Sequence, residues 1–405
     1  NETPVQMYDD GTNGDDVASD NIWTVGGINL VGGEEFSFMQ KSPVTPGGVS
    51  DAMGFWYKAD DGVFSDSTCN TPIADNGEPG CWKDFSPNGF NLDHNVGAPQ
   101  YSTSGLNGNP SIIFGASDVL GTSNNGADVA PTAIMNGVGT GTNTMSVLGV
   151  YNSASTTSMF AWGGTDAETI ALRSDSNIWE NSTYTKTTVV RGAYAIDGFV
   201  MNDAATPAYT HIRNGSTNGT TDVPNFVDDP ATDYEITLGG NNDFSAAQGT
   251  GLEFIGFKTA LSQDSLQRVQ SYLAIKYGMH LAPDTDGDAV LGEAIGAYTE
   301  GDYVLSNGAT VVWDYSANTA YHNDVFGIVQ DDNQLLDQTS STSFNTDSLV
   351  TVSTASSQDN QDALLIGNDN GNATTWTSTG APTGYQIVAR DWKGQETGAV
   401  GTGTP

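Results

Sequence analysis

The chain has 405 residues, more than one β-sandwich normally uses, so two domains are expected. Its 12 Lys and Arg stand against 49 Asp and Glu, a net charge of −37. That balance excludes nucleic acid, which needs clustered cations, and argues equally against anionic membrane surfaces.

No run approaches the roughly 20 apolar residues of a membrane span, so membrane insertion is not expected. A surface so dense in carboxylates calls for divalent cations, high external salt or both. Hydrophobic residues make up 37% and glycine occupies 49 positions, a composition of many short strands joined by turns. No signal peptide is visible and Asn1 is not a natural start, so a mature or excised form is expected.

In chain order, residues 1–45 open with the acidic turn MYDDGTNGDD and continue as two strand-like runs, IWTVGGINL and GEEFSFMQK, with Phe36 and Phe38 alternating in the second. SPVTPGGVSD (42–51) reads as a linker. The main body, 46–282, carries the strand candidates GFWYKAD, TMSVLGVY, ETIALR, YAIDGFVMN, AYTHIRNG, YEITLGG and LEFIGFK. Several are nearly continuous apolar runs, as strands buried on both faces should be. Cys69 and Cys81 bracket a turn-rich loop. A disulfide closing it would stabilise the fold by roughly 3 kcal/mol and would fit an extracellular setting. Two free thiols are the alternative.

One helix interrupts the pattern at 261–278. Ser262 is a good N-cap, Asp264 sits in the first turn, Lys276 in the last, and Gly278 at the C-terminal cap. Leu266, Val269, Tyr272, Leu273 and Ile275 form its apolar stripe, and the helix is expected across one end of the sandwich. An acidic linker, 283–299, leads to a second β-rich region, 300–405.

The residues of the main body resemble a known family. GFWYKADDGV (54–63), then Trp82, Asp84, Ser86, Asn88 and Gly89, then Pro99, Tyr101, GLNGNPSIIF (105–114), Asp118 and LEFIGFKTALSQDSLQRVQSYLAIKYG are similar to the LamG-like jelly rolls of large bacterial surface proteins. The resemblance implies a concanavalin A-like sandwich, often calcium-assisted, used for adhesion or sugar binding. VVWDYSANTAYHNDVFGIVQDD, LLIGNDNG and ARDWKGQETGAVGTG resemble a β domain that commonly follows that jelly roll. Residues 7–16 and 24–39 look like the closing half of the same downstream domain, so the chain reads as one permuted period of an array; fold-back of residues 1–45 on their own C-terminal half, or frayed ends, are the alternatives. The expected class is therefore all-β: a jelly-roll sandwich plus a second β-sandwich domain completed by N-terminal strands of a neighbouring copy, with Phe36 and Phe38 filling its core.

Calcium is the expected cofactor. Asp284, Asp286 and Asp288 alternate in a tight turn and can face one hard cation. Ile295 stands where an EF-hand would need Glu, so this is not an EF-hand. Asp9, Asp10, Asn13, Asp15 and Asp16 form a second candidate, and Asp331 with Asp332 a third. Glycoside hydrolysis needs two carboxylates at a fixed separation. No E-x-D-x-x-E strand occurs, Glu168 is isolated, and Glu253 reads as a lone rim residue, so the chain is not expected to be an enzyme. His94, His211, His280 and His322 show no zinc spacing, and no G-x-S-x-G elbow is present. Trp162, Trp179, Trp376 and Tyr184 lie in polar, loop-like contexts and are candidate sugar platforms, whereas Trp56, Trp82, Trp313 and Trp392 are expected in cores.

The expected function is a secreted, cell-surface structural or adhesive protein, a repeat or subunit of a fibre or giant adhesin whose partners are other copies, head to tail. A stand-alone calcium-dependent lectin-like module binding glycans is the alternative, and a polysaccharide-active enzyme the remote third.

Overall fold

The computed structural model describes residues 44–398, apart from 51, 123–128, 139–141, 155–157, 164–169, 174–177, 181–182, 186–191, 222–233, 241–246, 345–348 and 356–357. The segment holding Phe36, Phe38, Asp9, Asp10, Asn13, Asp15 and Asp16 lies outside the described residues, as does Glu168.

The protein is all-β in its main architecture. The strands used below are β1 (Met53–Lys58), β2 (Thr144–Ser153), β3 (Ala195–Asn202), β4 (Tyr209–Arg213) and β5 (Gly249–Phe257). They belong to an eight-stranded antiparallel sheet in which β4, β3, β2 and β5 are successive neighbours. Strand β5 shares one edge between Ser111–Phe114 near its start and β1 near its end. A seven-stranded sheet, with Ser158–Gly163 and Glu235–Leu238 near its centre, faces the first.

Alternate residues from both sheets build one core: Tyr57, Val147, Phe199 and Phe254 from the first meet Leu120, Phe160, Trp162 and Leu238 from the second. Phe55 stacks on Phe160 across the gap with ring centroids 5.2 Å apart. This is sheet-on-sheet packing with side chains of period two turned inward.

The continuous apolar runs are explained by the other face of the larger sheet. Trp56, Leu148, Val150, Ile196, Ile255 and Phe257 point away from the sandwich into a second core, beneath the long helix Gln263–Tyr277. The helix therefore covers this outer face, not an end of the sandwich as the sequence suggested. Its caps follow the sequence reading: Ser262 accepts the Ser265 N–H, and Gly278 adopts φ 64°.

Beyond the helix lies the C-terminal β region. Its four-stranded sheet contains β6 (Asn323–Asp331), β7 (Ala363–Asn368) and, at one edge, the strand Trp392–Thr397. Val325, Val329, Ala363 and Leu365 join the same core from the opposite side of the helix. The helix is thus a shared layer, buried along almost its whole length. Residues 43–405 form one compact unit.

Cys69 and Cys81 are joined in a disulfide with Cα atoms 5.4 Å apart, which fits an oxidising compartment. No helix among the described residues is long and apolar enough to cross a membrane.

Candidate functional site

The acidic loop after the helix brings three of the predicted ligands together. One carboxylate oxygen from each of Asp284, Asp286 and Asp288 lies within 4.8 Å of the others. Asx-type turns hold them: Gly287 N–H donates to Asp284 Oδ1, Asp288 N–H to Asp286 Oδ1 and Val290 N–H to Asp288 Oδ1. Glu293, exposed and seven residues before the buried Glu300, is pushed above the ordinary carboxyl range, first by Asp288, then by slight desolvation and by Asp286, Glu300 and Asp284. Such mutual repulsion with an all-oxygen donor set fits a hard divalent cation of the calcium type.

The third acidic candidate does something else. Asp331 is buried and fully bonded: Oδ1 accepts Ser306 Oγ–H at 2.6 Å and Asn333 N–H at 3.2 Å, while Oδ2 accepts Ser306 N–H at 2.9 Å and Gln334 Nε2–H at 3.0 Å. It is a capping carboxylate tying two loops, with no lone pair directed at a cation site.

The aromatic candidates separate. Trp162 is fully buried, against the expectation of a platform. It pairs with Ile236 in the smaller sheet, stacks on Tyr234 with centroids 5.1 Å apart, and donates Nε1–H to Val129 O. The side chains of Trp179 and Tyr184 lie outside the described residues. Trp376 is 56% exposed, on the hairpin of β8 (Asn372–Thr377) and β9 (Ile387–Ala389), next to β10 (Trp392–Thr397) in sequence. Tyr385 and Ile387 on the same hairpin are exposed too. Trp56, Trp82 and Trp313 are core residues as expected, and Trp392 is half-buried.

Two buried polar groups were not foreseen. Glu253 is fully buried, not a rim residue. Its Oε1 accepts Trp56 Nε1–H at 2.7 Å and Tyr272 Oη–H at 2.9 Å, and its Oε2 accepts Lys276 Nζ–H at 2.7 Å and Tyr277 Oη–H at 2.9 Å. Lys276 also reaches Asp60 at 2.8 Å. Burial pulls the Lys276 ammonium down, but Asp60 and Glu253 outweigh it and hold it above its ordinary range. Every lone pair has a donor, so this is an anchor between sheet and helix with no group left over for chemistry.

The second lies inside the sandwich. Asp197 on β3 is 2.6 Å from His211 Nε2 on β4, accepts Tyr151 Oη–H at 2.6 Å, and stands 3.6 Å from Arg213 Nη1. Burial raises the Asp197 carboxyl, but His211, Arg213 and Tyr151 together bring it below its ordinary value. Period-two alternation could have flagged Asp197 and His211 as inward-facing.

The family described as "Domain of unknown function (DUF8202)" matches residues 265–404, from inside the long helix through the C-terminal β region. No characterised protein matches by sequence. Among solved structures the chain is similar to domain 4 of an extracellular GH43 arabinanase from Geobacillus stearothermophilus in complex with arabinotriose, at 16% identity over 55% of this chain and 98% of that one, TM-score 0.35. It is also similar to a GH54 α-L-arabinofuranosidase, at 13% identity over 56% of each chain, TM-score 0.38. A Trypanosoma rangeli sialidase is similar at 8% identity over 54% of this chain and 32% of its own, TM-score 0.31. The chain thus spans about half of the second protein and a third of the third.

At these identities the likeness concerns the β-sandwich fold. The expectation that the chain is not an enzyme is corrected to this extent: the solved structures it is similar to include a glycoside hydrolase and a sialidase. A missing E-x-D-x-x-E strand excludes only one way of placing two carboxylates.

Proposed function

We propose that the chain acts outside the cell as a calcium-assisted, carbohydrate-binding adhesive module of a bacterial surface protein. The observation that carries this reading is the β8–β9 hairpin, which holds Trp376, Tyr385 and Ile387 in solvent while Trp56, Trp82, Trp162 and Trp313 are buried. An indole kept out of every core, on a strand rich in Thr and Asn, is the surface on which the apolar face of a sugar ring stacks. The disulfide supports an extracellular site of action, and the resemblance to LamG-like jelly rolls supports adhesion. The Asp284 loop supplies the cation site, with Asp286 and Asp288 contributing the exposed oxygens.

The test is retention of the full chain on a glycan array and on insoluble polysaccharides. Trp376→Ala should weaken retention about tenfold, as loss of one stacking aromatic does. Failure of the full chain to bind any glycan would end this reading.

A second reading, head-to-tail assembly with other copies, is favoured by one specific feature. The outer face of the C-terminal sheet, with Leu364 and Ile366 on β7 and Trp392 on β10, is only half covered. The segment bearing Phe36 and Phe38 is the proposed occupant, supplied by a neighbouring copy.

A further inference from the structure

A cavity of about 190 Å³ opens where the jelly roll, the C-terminal end of the long helix and the start of β6 meet. Its wall includes Tyr194, Arg213, His280, Asp324, Ser343 and Phe344. None of these residues belongs to the calcium loop or to the Trp376 hairpin.

Its volume is below the roughly 300–1,000 Å³ of sites for drug-sized ligands, so it fits one ring and not a chain. The wall combines two kinds of surface. Tyr194 and Phe344 meet edge to face with centroids 5.7 Å apart, an aromatic corner open to solvent on the Phe344 side. Opposed to it are fixed polar groups. Asp197 stands 3.6 Å from Arg213 Nη1 and anchors the guanidinium from inside the sandwich. Asn368 donates to Asp324 Oδ2 at 3.0 Å, and Arg390 stands 3.9 Å away, which orients the carboxylate. His280 contributes an imidazole whose Nδ1 is buried and has no hydrogen-bond partner.

Backbone conformation points the same way. Asp324, at the cavity and on a strand, has a φ of 51°. Left-handed backbone in non-glycine residues is held against its local cost, and such positions gather at ligand sites.

We propose that this cavity binds one neutral sugar ring, the terminal unit of a glycan. Asp324 accepts from one hydroxyl, Arg213 and His280 bond its neighbours, and the C–H face of the ring lies on Tyr194 and Phe344. Planar polar groups on adjacent hydroxyls beside an aromatic wall are the chemistry a sugar requires. Arg213 stands beside Asp197 and Asp324 beside Arg390, so the site is neutral on balance, which favours an uncharged ring over a uronic acid. The inference rests on the carbohydrate reading above and adds to it a site and a ligand class.

The test is saturation-transfer NMR on the full chain with the methyl glycosides of galactose, glucose, mannose and L-arabinose, beside methyl galacturonoside. Transfer to at least one neutral glycoside is expected, with roughly millimolar affinity for so few atoms. Asp324→Asn keeps a residue that tolerates left-handed backbone and should weaken binding at least tenfold. Phe344→Ala, on a partly exposed ring, should do the same with the melting temperature unchanged. Trp376→Ala should leave it unaltered. No transfer to any neutral glycoside, transfer only to the galacturonoside, or transfer insensitive to both cavity variants would overturn the inference. If transfer fails, or is lost only in Trp376→Ala, while the full chain still binds polysaccharide, the cavity assignment falls and the carbohydrate reading stands.

Discussion

Lys276 on the long helix places its Nζ 2.7 Å from Oε2 of Glu253 on β5, with both side chains out of solvent. Each ion gave up its hydration to be there, and the attraction offsets that loss only because every remaining lone pair and proton is bonded. Removing one partner leaves an unpaired charge in a dry site. Lys276→Met should therefore destabilise the protein by about 3–5 kcal/mol. The double variant Glu253→Gln with Lys276→Met should recover part of this, since it removes the unpaired charge at Glu253 and leaves only the partly exposed Asp60 without its Lys276 partner. Urea unfolding of the two variants checks the prediction. Equal losses in both would mean that packing of the Lys276 stem, and not charge, is the main term.

This anchor shows what was legible in the sequence and what was not. The helix ends were legible because caps are local: Ser262 and Gly278 behave as their neighbours dictate. The continuous run TMSVLGVY announced a strand buried on both faces. The position of the helix was hidden, because its second buried face is polar. Gln270 accepts the Gly215 N–H, and Gln267 and Ser271 donate to the Asp302 carbonyl, so residues that looked solvated are buried against backbone. Glu253 looked alone because its donors come from Trp56, 197 positions earlier, and from a helix turn that begins 19 positions later. Trp162 looked loop-like beside Gly163 and Gly164, but strand pairing with Ile236 places it in the core.

His322 should make the protein acid-sensitive. Its Nδ1 accepts Trp313 Nε1–H at 3.0 Å, so Nε2 carries the proton and donates to the Leu281 carbonyl at 2.9 Å. Burial, with the neighbouring His280, pushes the imidazole down to about 3. The unfolded chain takes up this proton near pH 6.5 and the folded chain does not. Stability is therefore complete above about pH 6.5 and falls as pH drops toward 3, by about 1.4 kcal/mol per unit for one proton. Asp60 and Asp197, held below the ordinary range, lose their contribution only near and below pH 4; His280, also pushed down by burial, adds to the loss, and Asp84, Asp203 and Asp302, pushed up by burial, oppose it, so the His322 part is read as the difference between wild type and variant. Urea midpoints are compared from about pH 6.5 to 4.5, where His322→Gln should reduce the acid loss by about one proton. Equal slopes in wild type and variant would refute the prediction.

Calcium should raise thermal stability through the Asp284 loop. A cation bound only to the folded state, at 100 times its dissociation constant, adds about 2.7 kcal/mol. Chelator should lower the melting temperature by several degrees, and Asp286→Ala should remove most of that response without disturbing the buried Glu300, whose Oε1 is held by Thr285. The control is sodium chloride at matched ionic strength. If sodium restores the melting temperature as well as calcium does, the effect is screening of the −37 net charge and not a bound ion.

Assembly depends on the outer face of the C-terminal sheet. Phe326 and Ile328 on β6 pair with Ile366 and Leu364 on β7, and Trp392 on β10 lies across from Asn368 on β7, so one face carries a row of large apolar side chains, buried at Phe326 and Ile328 and half-buried at Leu364, Ile366 and Trp392. Leu349 and Val350 close over Phe326 and Trp392 at one end, yet Leu349 itself is 48% exposed. Strand β10 is the sheet's outer strand, with the edge away from β7 not paired among the described residues. An added strand would satisfy that edge through main-chain hydrogen bonds while alternate residues such as Phe36 and Phe38 filled the face. Contact between one patch and a different patch on the next copy is heterologous and propagates as a fibre unless it closes into a ring. Light scattering with size-exclusion chromatography should show mass growing with concentration for the full chain. Deletion of residues 1–40 should abolish that growth while the Cys69–Cys81 disulfide and the cooperative melt persist. A synthetic peptide of residues 22–40 should then bind the deletion variant, and the same peptide carrying Asp at 36 and 38 should not. A full chain that stays monomeric at every concentration, or a deletion variant that assembles equally well, would show that this strand does not join copies.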